Sequence, residues 1–181
     1  AVDPVGGSKS LKILDNTGTV YSWDGVTLTQ VLQNVQSLGT HGECFVMTNS
    51  TVTCINNGVE TMQPGVTNVV KVSKHCRPDG ANIKCFKTAQ TSDNKFLVWG
   101  NGGISTPVEF PVNSTIYTDN VIEDIHDSCA LFTSGNLSCY TAGADTGIVS
   151  QLSGMPMPPI VKLADQFNIN SRCGINEQGE M

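Results

Sequence analysis

The chain has 181 residues, 39% hydrophobic and 14% charged, with a formal net charge of −6; this suits one ordinary globular domain and argues against disorder. Its ten Lys and Arg residues read as scattered singly, which argues against nucleic acid or an anionic membrane surface as partner, since either needs clustered cations. No apolar run approaches the roughly 18 residues needed to cross a bilayer, so no direct membrane insertion is expected.

The opening stretch "AVDPVGGSKS" has neither the charged nor the hydrophobic region of a signal peptide, and reads as a mature or cut N-terminus. Val, Thr, Ser, Asn and Gly are abundant, and no run carries apolar residues three and four apart, so strands are expected rather than helices. Laid on itself, the sequence aligns five segments: "KILDNTGTVYSW" (12–23), "CFVMTNSTVTCI" (44–55), "TAQTSDNKFLVW" (88–99), "CALFTSGNLSCY" (129–140) and "CGINEQGEM" (173–181). Their seventh position is Gly18, Ser50, Asn94, Gly135 and Gly179. The ninth is Val20, Val52, Phe96, Leu137 and Met181, apolar every time, and the twelfth is Trp23, Ile55, Trp99 and Tyr140.

This register predicts a β-hairpin in each segment, with a turn residue at positive φ in position seven and apolar residues on either side of the turn facing one core. A lone hairpin is marginal in water, so such repeats must stack or ring an axis. Segments "VVKV" (69–72) and "VIEDI" (121–125), ahead of two hairpins, read as further strands of the same units. The expectation is an all-β, single-domain chain (1–181) of about four to five β-propeller blades. A β-sandwich with chance similarity between hairpins is the competing architecture.

The cysteines follow the repeat. Cys44 with Cys54, and Cys129 with Cys139, occupy positions one and eleven. Both positions change together elsewhere, to Lys12 with Ser22 and Thr88 with Val98, as a cross-strand disulfide predicts, because opposed residues stand within bridging range. Cys76 and Cys85 sit in the turn-rich spacer "HCRPDGANIKC", which predicts a local clip on a loop. Cys173 opens the last hairpin, and its partner is expected ten residues on, past Met181; the chain therefore reads as a fragment of a longer parent. Paired cysteines imply an oxidising compartment. Sequons at Asn49, Asn113 and Asn136 agree, predicting N-linked glycans on a secreted or cell-surface protein.

"VIEDIHDSCALFTSGNLSCYT" (121–141) and "KTAQTSDNKFLVWGNGG" (87–103) resemble the regulator-of-chromosome-condensation repeat. The paired-cysteine form is similar to extracellular relatives such as crinkly-type receptor ectodomains. The resemblance implies part of a larger, seven-bladed propeller serving as a recognition platform. The nuclear members' nucleotide-exchange activity is not carried over to an acidic, disulfide-bearing chain. A complete five-bladed ring is the other arrangement.

Chemistry-bearing motifs are sparse. His41 and His126 each precede a first-position cysteine by three residues, a zinc-like spacing, but those cysteines are assigned to disulfides; His75 has no second ligand in the sequence. "WGNGG" (99–103) opens no helix and reads as a turn, not a phosphate cradle. Asp119, Glu123, Asp124 and Asp127 lack calcium-loop spacing and read as a solvated face. Trp23, Trp99 and Tyr140 recur at one hairpin position, which favours packing between units over sugar stacking. No metal, no cofactor and no catalytic residue is expected. The resulting expectation is a non-enzymatic extracellular module that binds a protein partner or self-assembles, with carbohydrate binding or enzyme inhibition as the alternatives.

Overall fold

A computed structural model describes residues 3–4, 11–56, 58–79, 82–100, 106–109, 121–126, 129–135, 137–139, 160–163 and 174–176. The protein is all-β. Its strands form five antiparallel sheets, and within each sheet the strands pair in chain order.

The first sheet holds β1 (Asp3–Pro4), β2 (Leu11–Leu14), β3 (Val20–Trp23) and β4 (Leu28–Leu32). The second holds β5 (Val35–Leu38), β6 (Cys44–Met47), β7 (Val52–Asn56) and β8 (Val59–Met62), with a 3-10 turn at Thr40–Gly42. β9 (Val69–Asp79), β10 (Asn82–Thr91), β11 (Phe96–Gly100) and β12 (Val108–Glu109) make the third. β13 (Ile122–His126), β14 (Cys129–Phe132) and β15 (Leu137–Cys139) make the fourth, and β16 (Ile160–Leu163) pairs with β17 (Gly174–Asn176) in the fifth.

The repeat register is visible in the ladders. Positions one and eleven face each other as Lys12 and Ser22, Cys44 and Cys54, Thr88 and Val98, and Cys129 and Cys139. The seventh residue has φ of 81° at Gly18, 60° at Ser50, 64° at Asn94 and 80° at Gly135. In all four hairpins its N–H donates to the carbonyl of position four: Asp15, Met47, Thr91 and Phe132. The turn geometry is therefore common to the four hairpins even where Ser and Asn replace Gly; Asn enters the left-handed region more readily than most side chains, and Ser50 does so without that advantage.

A second bond recurs between sheets. The Gly18 carbonyl accepts from Val35 N–H and the Ser50 carbonyl from Val69 N–H, both at 2.9 Å. At the third hairpin the Asn94 side-chain Oδ1 takes over, accepting from Ile122 N–H at 2.9 Å. Val35, Val69 and Ile122 each open the first strand of the next sheet, so each of these three turns holds the entry of its successor.

Among the described residues, burial divides into three clusters, each between consecutive sheets. Val20, Leu32, Val35 and Phe45 join the first to the second. Cys44, Val46, Val52, Cys54, Val69, Val72, Ala89 and Trp99 join the second to the third. Phe86, Phe96, Val98, Ile122, Ile125, Ala130 and Phe132 join the third to the fourth. The expectation of one shared core face does not hold across the whole hairpin: position nine faces the next sheet, position twelve the previous one. Period-two alternation turns odd positions of each hairpin toward the next sheet and even positions toward the previous one.

Candidate functional site: a clipped ribbon and its polar foot

The third sheet departs from the pattern. β9 runs for 11 residues and β10 for 10, against 4 each for β5 and β6. β10 begins six residues ahead of Thr88, whereas β6 begins at its own first position, Cys44. At about 3.3 Å per residue the ribbon extends the sheet by about 20 Å. "HCRPDGANIKC" is thus paired strand over 75–79 and 82–85, not a loop. Its register runs Lys74 to Lys87, His75 to Phe86, Cys76 to Cys85, Arg77 to Lys84, Pro78 to Ile83 and Asp79 to Asn82. The ladder continues across these residues despite the proline, which an edge strand such as β9 tolerates.

The Cys76–Cys85 disulfide lies across this ribbon with Cα atoms 4.0 Å apart, and Cys76 is exposed. The Cys44–Cys54 disulfide has the same Cα separation but both residues are fully buried between the second and third sheets. Cys129 is also disulfide-bonded, and the ladder sets Cys139 opposite it. Cys173 lies outside the described residues.

At the ribbon's foot, a polar cluster ties it to the second sheet. Lys74, 8% exposed, donates to the Glu43 carboxylate and, at 3.0 Å, to Asn56 Oδ1. Opposite it, Lys87 Nζ donates to Gln63 Oε1 at 3.1 Å, and Trp99 Nε1 donates to the same oxygen at 2.8 Å. Burial pushes the Lys87 ammonium below the usual lysine range, and the facing Lys74 charge adds to the effect. Lys71 pairs with Asp124 of the fourth sheet, and the Thr40 and Ser73 hydroxyls bond across to the second. The foot is held on both flanks.

Strand pairing also gathers charge that looks dispersed along the sequence. Lys71, Lys74, Arg77, Lys84 and Lys87, five of the ten cations, lie on β9 and β10. The only acid there is Asp79, so the two strands carry a formal +4 on a chain of net −6. The reading of singly scattered cations is corrected on this point: residues 71 and 87 are far apart in sequence but within five rungs on one ladder. The cations recur at every third residue, at 71, 74 and 77 and again at 84 and 87, and the loop assignment hid their pairing.

The other anticipated positions fall as follows. Asn49 is exposed in the second hairpin's turn, where its Oδ1 accepts from the Thr51 hydroxyl at 2.7 Å; Asn113 and Asn136 lie outside the described residues. His41, His75 and His126 are placed by backbone only, and among the described residues no group of three or more His, Cys, Asp or Glu is arranged to hold a metal ion. Asp124 is engaged with Lys71, Glu123 is exposed, and Asp119 and Asp127 are outside the described residues. Trp99 is buried between sheets at 3% exposure, whereas Trp23, at the equivalent place in the first sheet, is 42% exposed. Tyr140 lies outside the described residues. Gly100, from the glycine-rich stretch, ends β11 opposite Phe86, and a Cβ there would come within 2.5 Å of the Cys85 carbonyl oxygen; this glycine serves close strand packing. Among the described residues no helix is long and apolar enough to cross a membrane.

The class defined by these features is an all-β protein of successive antiparallel meanders, stapled by disulfides in keeping with an oxidising compartment. The chain matches no protein-family model, and no curated protein is similar to it.

Proposed function

We propose that the chain is a non-enzymatic interaction module of a secreted or cell-surface protein, built as β-propeller blades of the regulator-of-chromosome-condensation type. Support for the blade reading comes from the sheet-to-sheet recurrence: the same turn, the same opposed pair and the same face alternation in successive four-stranded meanders. Extracellular placement is supported by two disulfides, one of them with Cys76 exposed, and by the exposed Asn49 sequon, a suitable glycan acceptor.

The observation that carries the interaction role is the ribbon of β9 and β10. Its strand pairing runs six residues ahead of the hairpin's first position, the point at which β6 begins in its own hairpin, and a disulfide clamps that extension. A clamped extension of this kind is explained by contact with another molecule. Intact mass before and after reduction and deglycosylation, on material from the native source, tests the compartment. Crosslinking through the ribbon tests the role. Fully reduced cysteines in native material, or a ribbon deletion that leaves every crosslinked partner in place, would overturn the reading.

A further inference from the structure

Three functional groups converge at the seam between the second and third sheets. Lys74 of β9 is 8% exposed, and its Nζ contacts the Glu43 carboxylate and lies 3.0 Å from Asn56 Oδ1. Both partners are fixed from the second sheet. Asn56 ends β7, paired with Val59. The adjoining Ile55 N–H donates to the Glu43 carbonyl at 2.7 Å, which sets residue 43 beside the end of that strand. An amine, a carboxamide and a carboxylate are thereby brought together by backbone that is already paired, the condition under which a slow bimolecular reaction becomes an intramolecular one.

We propose that Lys74 and Asn56 become joined by an intramolecular isopeptide bond, with Glu43 as the proton carrier. Glu43 takes one proton from the Lys74 ammonium, and the freed lone pair attacks Asn56 Cγ, the carbon bonded to the oxygen that Nζ already contacts. The Nζ–Cγ bond forms, and the Cγ–Nδ2 bond breaks as Glu43 returns its proton to Nδ2. A second proton from Nζ completes the departing ammonium ion, so neither oxidant nor reductant is needed. Asn56 is exposed, which leaves that ion a path to solvent. Lys87 supplies a contrast within the same cluster. Its Nζ also meets a carboxamide oxygen, Gln63 Oε1 at 3.1 Å, but no carboxylate is paired with it among the described residues. The acid separates a reactive pair from a hydrogen bond. The product ties two sheets that the described disulfides leave unlinked, since Cys44–Cys54 lies within the second and Cys76–Cys85 within the third. Unlike either disulfide, it withstands thiol reductants.

The test is peptide mapping of the full chain after prolonged incubation at neutral pH, followed by complete reduction and proteolysis. A branched peptide joining Asn56 to Lys74 is expected, one ammonia lighter than its two component peptides, with Lys74 no longer cut by trypsin. Lys74→Arg keeps a cation against Glu43 and should abolish the branch. Glu43→Gln keeps the shape of the side chain and should slow formation of the branch by about 100-fold or more. In both variants a Cys76–Cys85 bond present before reduction shows that the ribbon is formed. An unmodified Lys74 in the wild-type chain, a branch between Gln63 and Lys87, or undiminished branching in Glu43→Gln would overturn the proposal. So would ammonia loss confined to one unbranched peptide, as a cyclic imide at the Asn57–Gly58 step would give.

Discussion

Trp99 donates its indole N–H to Gln63 Oε1 at 2.8 Å, and Lys87 shares the same acceptor at 3.1 Å. One amide oxygen thus satisfies two donors from the third sheet. Gln63→Leu keeps the volume and removes the acceptor, leaving a buried indole N–H and a part-buried ammonium without it. A loss of about 1–3 kcal/mol is expected by urea denaturation. Trp23→Phe, at the matching position of the first sheet where the ring is half in solvent, should cost under about 0.5 kcal/mol.

The hairpin turns predict three substitutions of different outcome. Gly18→Ala forces a side chain into φ of 81° and puts its Cβ 2.9 Å from the Val35 carbonyl oxygen, so a cost of about 1–3 kcal/mol is expected. Ser50→Gly relieves a left-handed residue at φ of 60° and should stabilise by about 0.5 kcal/mol, the steric relief outweighing the added chain entropy. Asn94→Gly relieves the same strain but deletes the bond to Ile122 N–H, with a net loss of about 1 kcal/mol. Denaturation midpoints of the three variants provide the check.

Reduction should proceed in order. Cys76 is exposed, while Cys44 and Cys54 are fully buried between sheets. Under native conditions a limiting thiol reductant should open Cys76–Cys85 first, because exchange requires in-line access to sulfur. Peptide mapping after alkylation would show labelled Cys76 and Cys85 before any label at Cys44 or Cys54. Simultaneous labelling would mean that both bonds open by global unfolding.

Three aspartates predict the acid limb of stability. Asp15 is held below the usual carboxylate range by the Thr19 N–H and then the Thr17 hydroxyl, Asp24 by the Thr27 and Val26 N–H groups, and Asp93 chiefly by Thr91. A carboxyl whose folded pKa is depressed contributes stability above its unfolded value, near pH 3.9, and loses it as pH falls through the folded value. Wild type should therefore exceed Asp15→Asn in thermal midpoint at pH 7, and the gap should close below about pH 4. A gap that widens in acid would contradict this.

The hairpins were legible because their rule is local: a turn residue, opposed cysteines and alternating apolar residues lie within twelve positions. Lys12 opposite Ser22 and Thr88 opposite Val98 follow from that rule without any cysteine. What escaped was nonlocal. Gln63 meets Trp99 across 36 residues, and Lys74 meets Glu43 across 31; no spacing rule reaches so far. Asn34 and Asn68, with φ of 60° and 57°, each lend a carbonyl to the next hairpin, at Thr48 and Ser92, and neither falls inside a repeat segment. The ribbon escaped for another reason. Pro78, Asp79 and Gly80 are strong turn signals, and they outweighed the β-forming residues on either side.

Because the turn acceptors at Gly18, Ser50 and Asn94 each reach the first residue of the following sheet, coupling among these described sheets runs from neighbour to neighbour. A defect in one sheet then bears first on the sheets beside it. The same arithmetic lets a whole unit be duplicated or lost in evolution with only two seams to mend.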